Sequence, residues 1–208
     1  MLKFRIANTL SDMTEVYHLA YDVYLEQQYT HPNPEGLLRH YPELDGIEAT
    51  TVILAEEDGL LVGTNSLTMD SMARLHTDRA FPEETQSVRE ECFEENRRLA
   101  ASWRICTMGE GRCGMRVLMG LIGCTYKLVV GWNLQTVLYT FHPKHARIYE
   151  KIIGARVIAG PVADRSVDGS PAVLMRTDLE TLVPHWTRMS KRRSFFTDLD
   201  FSGVGREG

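Results

Sequence analysis

The stretch from Met108 to Gly154 constrains the fold of this chain more than any other part of the sequence. It opens with a glycine-rich turn, MGEGRCGMR, and continues into a run whose apolar residues recur every three or four positions, as on a helix with a wide buried face. We predict a helix over Arg112–Trp132, a short buried strand over Thr136–Phe141 and a second helix over Ala146–Ile153 that Gly154 ends. The other elements of the fold must pack around this helix–strand–helix unit.

The remaining periodic segments predict one mixed sheet. They indicate a strand over Leu2–Ala7, a helix over Asp12–Gln28 with a capping box of Asp12 and Glu15, a hairpin of strands Thr50–Ala55 and Leu60–Met69, and strands Ala155–Ala159 and Ala172–Thr177. Loops are expected over Leu75–Glu84 and Pro161–Pro171, and residues 85–102 favour a helix by propensity alone. The hairpin is antiparallel, whereas the crossover through the long helix joins parallel strands. We therefore expect an α/β or α+β fold, with a ligand site where the two parts of the sheet meet.

Composition excludes several classes of protein. The 208 residues are 43% apolar and 25% charged, as in an ordinary soluble globular protein, and we predict a single domain over residues 1–185 with an aperiodic C-terminal tail over 186–208. The net charge of −5 argues against a general nucleic-acid binder. No apolar run predicts a transmembrane segment. Four cysteines without C-x-x-C spacing predict neither a disulfide framework nor a metal site, so the cytoplasm is the expected location.

The glycine turn carries Gly109, Gly111 and Gly114 in a G-x-G-x-x-G arrangement. A dinucleotide-binding fingerprint would follow the first strand of a parallel unit and would have an acidic residue about twenty positions later. This chain has Lys127 and Leu128 near that distance. The turn is therefore a weak match to a dinucleotide site.

Three side chains beside these glycines bear on what the turn binds. Arg112 and Arg116 add positive charge to the backbone N–H groups at a helix N-terminus, an arrangement that favours the phosphate of a phosphopantetheine or pyrophosphate arm. Cys113 is either a thiol activated by the helix dipole or a small buried residue. An ordinary flexible turn before a core helix fits the same residues, and the sequence leaves both interpretations open.

The order of elements resembles the GNAT superfamily of N-acyltransferases. Its members bind an acyl thioester at a turn with Gln or Arg, two residues, Gly, one residue and then Gly or Ala; the equivalent positions here are Met108, Gly111 and Cys113. The resemblance implies a GNAT-like fold, a mostly antiparallel mixed sheet splayed around an acyl-thioester site and flanked by helices. It also implies an acyl-CoA or the phosphopantetheine of an acyl carrier protein as co-substrate, with no permanently bound cofactor. The implied contacts to that arm are Gly109, Gly111, Arg112, Cys113, Gly114 and Arg116.

Within this superfamily the chain resembles the bacterial N-acyl amino acid synthases and the acyl-homoserine-lactone autoinducer synthases. The matching motifs, in chain order, are Ala20-Tyr21-Asp22-Val23-Tyr24, Asp45 before a strand, Gly63-Thr64, Glu95-x-x-Arg98-Leu-Ala, and Pro143, His145, Tyr149 and Gly154. Ala20 and Asn65 replace arginines of the lactone synthases, which favours the amino acid synthase branch. The Glu-x-x-Arg segment is a strand in the family, so the resemblance predicts a strand over roughly Glu95–Ala101 after a shorter helix.

The resemblance also implies roles for individual residues. Glu95 would orient or deprotonate the acceptor amine, and Tyr149 would lie near the leaving thiol as its acid. Arg98 would hold a substrate carboxylate through two parallel hydrogen bonds. The remaining implied substrate contacts are Tyr24, Asp45 and His142.

Structural roles fit the same residues. Glu95 would form an ion pair with a neighbouring arginine, Arg98 would be a structural arginine, and Tyr149 would pack in the core. His142 and His145 are spaced by three beside a proline, without a carboxylate or cysteine nearby in sequence. They make a poor metal pair and are expected in the wall of the site.

The function implied is transfer of a long-chain acyl group from an acyl carrier protein, or as a second choice from coenzyme A, to the amine of an amino acid or a similar acceptor. Two alternatives remain: an acetyl-CoA-dependent N-acetyltransferase for small molecules, and a non-catalytic relative that binds a carrier protein. An acidic carrier protein would dock on basic residues, and the candidates besides the turn arginines are Arg188, Lys191, Arg192 and Arg193. A solvated tail is the alternative for this second group.

Overall fold

The computed structural model describes residues 1–109, 111–191 and 199–204. The strands are β1 Leu2–Ile6, β2 Thr50–Glu57, β3 Leu60–Met69, β4 Leu99–Thr107, β5 Thr136–Phe141, β6 Arg156–Asp164, β7 Ser170–Asp178 and β8 Leu199–Gly203. The helices are α1 Leu10–Glu26, α2 Thr77–Ala80, α3 Pro82–Glu94, α4 Gly111–Gly131, α5 Pro143–Ile153 and α6 Leu179–Ser190, and Arg165–Val167 form a 3₁₀ turn.

The strands form one sheet in the order β6-β7-β5-β4-β3-β2-β1-β8. Strands β4 and β5 are parallel, as are β1 and β8, and the other neighbouring pairs are antiparallel. Helix α4 makes the crossover between β4 and β5. The predicted mixed, mostly antiparallel sheet flanked by helices is confirmed.

The sheet opens between β4 and β5. The two strands pair only over Leu99–Ser102 and Thr136–Tyr139. Beyond these residues β4 continues along β3 to Thr107, whereas β5 continues along β7 until Phe141 lies opposite Val173. The carboxyl ends of two parallel strands therefore diverge and leave a cleft in the middle of the sheet, as the resemblance implies.

Helix α4 forms the centre of the core, packed against the sheet. Val117, Leu121 and Leu128 are buried at the predicted helical spacing. Gly120 allows a close approach to the sheet, because a Cβ at this position would overlap the ring of Phe4. By length and composition α4 resembles a membrane-crossing helix, but 61% of its apolar window is buried inside the domain, as expected of a core helix.

The predicted strand over Glu95–Ala101 exists, but its bounds are wrong. Helix α3 ends in a Schellman motif in which the N–H of Arg97 donates to the C=O of Cys92 at 2.7 Å. Asn96 takes the left-handed conformation of this motif, with φ of 54°. Because Glu95 caps the helix, β4 begins only at the next apolar residues and runs on to the cleft.

The helices α1 and α5 begin earlier than predicted. The capping box of α1 consists of Thr9 and Asp12, each accepting a hydrogen bond from the other's backbone N–H at 3.0 Å, rather than of Asp12 and Glu15. Helix α5 starts directly after its N-cap His142. It ends at Gly154, with φ of 68°, as the sequence predicts.

Three segments without sequence periodicity are more regular than expected. The predicted loop Leu75–Glu84 contains α2 and the start of α3, and the loop Pro161–Pro171 consists largely of the ends of β6 and β7 around the 3₁₀ turn. Within the predicted tail, α6 ends at Ser190 and β8 pairs with β1, where Phe201 stacks on Phe4 at 5.1 Å. Residues 192–198 and 205–208, including Arg192 and Arg193 of the basic group, lie outside the described residues.

Candidate active site

A cavity of about 410 Å³ occupies the cleft between β4 and β5. The ends of these strands line it together with α1, the loop that follows α1, the glycine turn, α5 and the hairpin of β6 and β7. Small-molecule sites usually have volumes of roughly 300–1,000 Å³. The divergence of the parallel strands thus creates a ligand-sized space at the place that the topology predicts.

The wall of the cavity has an apolar part and a polar aromatic part. The apolar part includes Val23, Ile105, Leu118, Phe141 and Ile148. In the other part, His40 and Tyr41 lie 4.2 Å apart between ring centroids, and Trp103 lies 5.2 Å from Tyr41. His76 completes this group, 6.1 Å from Trp103. The cavity can therefore hold an alkyl group and polar atoms at the same time.

The glycine turn lies at the edge of the cavity. Gly109 lines it and has φ of 83°, and Gly111 has φ of 58°, so both adopt the conformation that favours glycine. Gly114 is buried and packs so closely against the turn that a Cβ there would collide with the carbonyl oxygen of Gly109. The N–H of Met108 donates to the C=O of Val62 on β3 at 2.8 Å, which ties the turn to the sheet. These contacts fix the turn beside the N-terminus of α4.

The charged and sulfur-bearing residues of the turn lie on the first turns of α4. Arg112 and Cys113 are exposed. The guanidinium Nη1 of Arg116 lies 3.8 Å from the carboxylate of Glu57. The structure therefore groups all six predicted arm contacts at one end of α4, and it places Gly109 on the cavity itself.

Tyr149 lies in the wall of the cavity, on α5. It is buried, and its ring stacks on Phe141 with centroids 3.7 Å apart and planes 1° apart. Burial raises the pKa of the Tyr149 hydroxyl well above its ordinary value, so the group keeps its proton at neutral pH. A protonated hydroxyl at this place can donate to a leaving sulfur or to a carbonyl oxygen.

Tyr24 and His142 also line the cavity. The Tyr24 hydroxyl lies 3.4 Å from Nδ1 of His40, and burial raises the pKa of Tyr24 well above its usual range. The His142 ring stacks on Tyr29 at 5.8 Å, and its Nδ1 accepts a hydrogen bond from the N–H of Lys144 at 3.1 Å. Burial lowers the pKa of His142. The structure thus brings Tyr24, His142 and Tyr149 together in one space.

Asp45 does not line the cavity, but it holds a residue that does. Its two carboxylate oxygens accept hydrogen bonds from Nη1 and Nη2 of Arg104 at 2.9 and 2.8 Å, and the Tyr17 hydroxyl donates to it at 3.0 Å. The Arg104 side chain is 0% exposed and also donates to Ser66 Oγ at 2.9 Å. Arg104 is left-handed at φ of 52°, within the β-bulge where the register of β3 and β4 shifts.

Sequence reasoning missed Arg104, although a signal for it exists. An arginine inside the apolar strand LAASWRICT must be paired if the strand is buried, since an unpaired buried charge is very unfavourable. Its Nε has no hydrogen-bond partner among the described residues. The guanidinium carbon lies 4.5 Å from the centroid of the Trp103 ring.

A second polar group that sequence reasoning missed joins distant segments. The carboxylate of Asp164, at the end of β6, accepts a hydrogen bond from Ser166 Oγ at 2.8 Å. Nε2 of His40 lies 3.1 Å from the same hydroxyl. More than a hundred residues separate His40 from Ser166, and no local spacing connects them.

Glu95 and Arg98 lie outside the cavity. Both precede β4, whereas the cavity begins at Trp103, roughly 15 Å further along the strand at about 3.3 Å per residue. Glu95 forms an ion pair with Arg97 at 2.8 Å, and Arg98 donates to the C=O of Trp132 at the end of α4. The structure does not bring these two residues together with the predicted partners around Tyr149. Their catalytic roles remain predictions without support from this geometry.

Known structures share the architecture around the cavity. FeeM, an N-acyl amino acid synthase from uncultured soil microbes, superposes with a TM-score of 0.75 at 17% identity, over 90% of this chain and 93% of FeeM. BjaI, a CoA-dependent acyl-homoserine lactone synthase with bound SAM and isopentyl-CoA, gives 0.61 at 16% identity, over 91% and 89%. An acyl-CoA N-acyltransferase from Pseudomonas aeruginosa gives 0.56 at 16% identity, over 85% and 99%. At these identities the similarity establishes the GNAT-like fold.

The sequence itself carries the family relationship. None of the curated protein sequences compared with the chain is significantly similar to it. The family model described as N-acyl amino acid synthase FeeM, however, matches residues 15–178, which include the motifs on α1, the glycine turn and Tyr149. The chain therefore belongs to the FeeM family of N-acyl amino acid synthases and is an acyltransferase that acts on an amine.

Proposed function

We propose that this protein transfers a long-chain acyl group from an acyl carrier protein to the amine of an amino acid or a similar acceptor. The observation that carries the proposal is the cavity between β4 and β5, which combines apolar walls, a polar aromatic end and a glycine turn at its edge. An acyl thioester needs the apolar walls and the glycine turn, and an amino acid needs the polar aromatic end.

The glycine turn is the proposed seat of the pantetheine arm. The arm is a narrow chain with amide groups, and the left-handed residues Gly109 and Gly111 leave backbone accessible beside the cavity. The N-terminus of α4 and the exposed Arg112 favour the phosphate at the far end of the arm. The thioester then lies within the cavity, between the turn and Tyr149.

The apolar wall is the proposed binding surface of the acyl chain. Leu118, Phe141 and Ile148 offer no charge and no unpaired hydrogen-bonding group to a substrate. Each buried methylene contributes about 0.8 kcal/mol to binding. A chain of many carbons is therefore expected to bind more tightly than an acetyl group.

Acyl transfer requires a neutral amine, donors for the oxyanion and a proton for the leaving thiolate. We assign the last role to the protonated hydroxyl of Tyr149. The nitrogen lone pair forms the C–N bond and the nitrogen gives up one proton. The C–S bond breaks, sulfur leaves with the proton of Tyr149, and the proton lost by the amine returns to the oxygen of Tyr149 through water.

A groove of about 810 Å³ beside the cavity supports a carrier protein as the donor. Among the described residues, the methionines that line it are Met115, Met119 and Met189. Arg147, Lys151 and Arg188 surround them and are exposed, with Glu150 as the acidic residue among the lining residues. Ile148 lines both the groove and the cavity. An acidic partner that docks here would have its pantetheine arm beside the cleft.

The proposal is tested by comparing donors. The purified protein is incubated with lauroyl-carrier protein, lauroyl-CoA or acetyl-CoA and a mixture of amino acids, and N-acylated products are measured by mass spectrometry. We expect lauroyl amides, formed fastest from the carrier protein. Absence of any N-acylated amino acid would refute the function, and a preference for acetyl-CoA would favour a small-molecule acetyltransferase.

The docking surface has a separate test. Lys151→Glu is expected to raise KM for the lauroyl-carrier protein and to leave KM for lauroyl-pantetheine unchanged, since Lys151 lines the groove but not the cavity. Lys3→Glu, an equal charge reversal on the exposed face of β1, is the matched control. Equal effects of the two variants would exclude the groove as the docking site.

A further inference from the structure

The loop after α1 and the end of β6 meet in a chain of four hydrogen-bonded side chains. It runs from Asp164 through Ser166 and His40 to Tyr24. Tyr24, His40 and Asp164 all line the cavity. Asp164 is 4% exposed, and its Oδ1 accepts from both the backbone N–H and the hydroxyl of Ser166 at 2.8 Å.

The carboxylate fixes the direction of every hydrogen bond in this chain. Ser166 has one hydroxyl proton, which it donates to Asp164. The hydroxyl of Tyr41 and Nε2 of His40, at 2.9 and 3.1 Å from Ser166 Oγ, must then both be donors. His40 consequently carries its proton on Nε2, and Nδ1 is left with a lone pair that faces the hydroxyl of Tyr24.

We propose that Tyr24 takes the proton from the acceptor amine and hands its own proton to His40, with Ser166 and Asp164 holding His40 in the correct tautomer. This inference rests on the proposed acyl transfer. Tyr24 is the group that contacts the amine, and His40, Ser166 and Asp164 are positioning residues that act through it. The family resemblance assigned the base role to Glu95, which lies outside the cavity.

In the free protein the shared proton lies on Tyr24 and Nδ1 of His40 is unprotonated, and because burial disfavours the charged form of both groups, the two proton transfers of the relay must be concerted. Burial, together with the positive charges of Arg104 and Arg79 and the nearby His76, lowers the pKa of His40 to about 3, so Nδ1 is unprotonated at neutral pH. Burial raises the pKa of Tyr24, so its hydroxyl still carries the proton that it passes on. The Tyr24–His40 distance of 3.4 Å is long, as catalytic hydrogen bonds often are before substrate binds.

Every proton that moves in the reaction can be followed from the amine to the thiol. As the nitrogen forms its bond to the thioester carbon, its proton moves to the oxygen of Tyr24, and the proton of Tyr24 moves to Nδ1 of His40. The imidazolium that results donates through Nε2 to Ser166, which donates to the carboxylate of Asp164, and because burial lowers the pKa of His40 it exists only until its proton is passed on. The C–S bond breaks with its electron pair on sulfur, and the thiol leaves with one proton from Tyr149. The imidazolium then returns its proton to Tyr149 through water, so the amine loses one proton and the thiol gains one.

The relay is tested by kinetics of Tyr24→Phe and His40→Ala with lauroyl-carrier protein and the best amino acid from the mixture. General base catalysis contributes about 10²- to 10⁴-fold, so each variant should lose about that factor in kcat while KM for the donor stays within about twofold. Imidazole in the buffer should restore part of the activity of His40→Ala, because the vacated space opens on the cavity. It should not restore Tyr24→Phe.

His31→Ala is the matched control, since His31 lies on the same loop with its side chain 85% exposed, outside the chain of hydrogen bonds. It should have the kcat of the wild type. Wild-type kcat in Tyr24→Phe would overturn the relay, as would a loss in His40→Ala that imidazole leaves unchanged in a folded variant. If His40→Ala does not fold, the kcat of Tyr24→Phe is the test of the relay. An inactive wild type would instead refute the proposed function.

Discussion

Removal of Asp45 should destabilise the protein through the arginine that it leaves behind. Asp45 and Arg104 form two charge-assisted hydrogen bonds, with side chains 7% and 0% exposed. Breaking a buried pair by deleting one partner typically costs about 3–5 kcal/mol, because the remaining charge is buried without compensation. Asp45→Ala should therefore lower the free energy of unfolding by about 3–5 kcal/mol.

For a chain of this size, 1 kcal/mol corresponds to about 2–4 °C in the thermal midpoint, so Asp45→Ala should lower Tm by about 6–20 °C. Urea unfolding followed by circular dichroism measures the free energy directly. Glu43→Ala is the control, because Glu43 pairs with Arg79 while both side chains are about half exposed. Such a surface pair contributes only about 0–1 kcal/mol.

The double variant Asp45→Ala/Arg104→Met separates the buried charge from other effects of the substitution. Since a buried pair is often replaced by apolar residues without loss, the double variant should be more stable than Asp45→Ala alone. If Asp45→Ala costs no more than Glu43→Ala, or if the double variant is the less stable of the two, the reasoning about Arg104 is wrong.

Two further predictions concern other parts of the chain. Gly114→Ala should lower the free energy of unfolding by about 1–3 kcal/mol and raise KM for the acyl donor, because the new Cβ meets the carbonyl oxygen of Gly109. Gly131→Ala on the same helix has open space around it and should change neither quantity. Urea unfolding and donor kinetics of the two variants measure the difference. The hydrogen bond from Arg5 holds the pKa of Asp12 below its usual range, so its stabilisation is present above about pH 4 and fades as pH falls. The difference in unfolding free energy between wild type and Asp12→Asn should accordingly shrink from pH 7 to pH 3, and a difference that grows would contradict this.

Local sequence patterns predicted the elements whose periodicity reflects burial. The stripe of Val117 and Leu121 on α4, the hairpin of β2 and β3 and the end of α5 at Gly154 follow from spacing and from the conformational freedom of glycine. The bounds of β4 could not be read in this way. They depend on a Schellman motif with Asn96, and helix propensity carries no information about where such a motif closes.

The residues of the site could be predicted only where a local motif marks them. Tyr24 and Tyr149 were identified by motif order, Gly109 by the glycine-rich turn and His142 as an expected residue of the site wall, and the structure places all four on the cavity. His40 and Asp164 are connected only in the folded chain, through Ser166, so neither has a local signature. Strand β8 was missed because a short aperiodic segment gains its partner, β1, from the far end of the chain.

The most direct test of the account is a crystal structure with a non-hydrolysable lauroyl-pantetheine analogue. We expect the pantetheine arm at the glycine turn beside Gly109, the carbonyl group between Tyr24 and Tyr149, and the alkyl chain against Phe141 and Ile148. An analogue bound elsewhere on the protein, with the cleft between β4 and β5 empty, would contradict the assignment of this cleft as the acyl-transfer site.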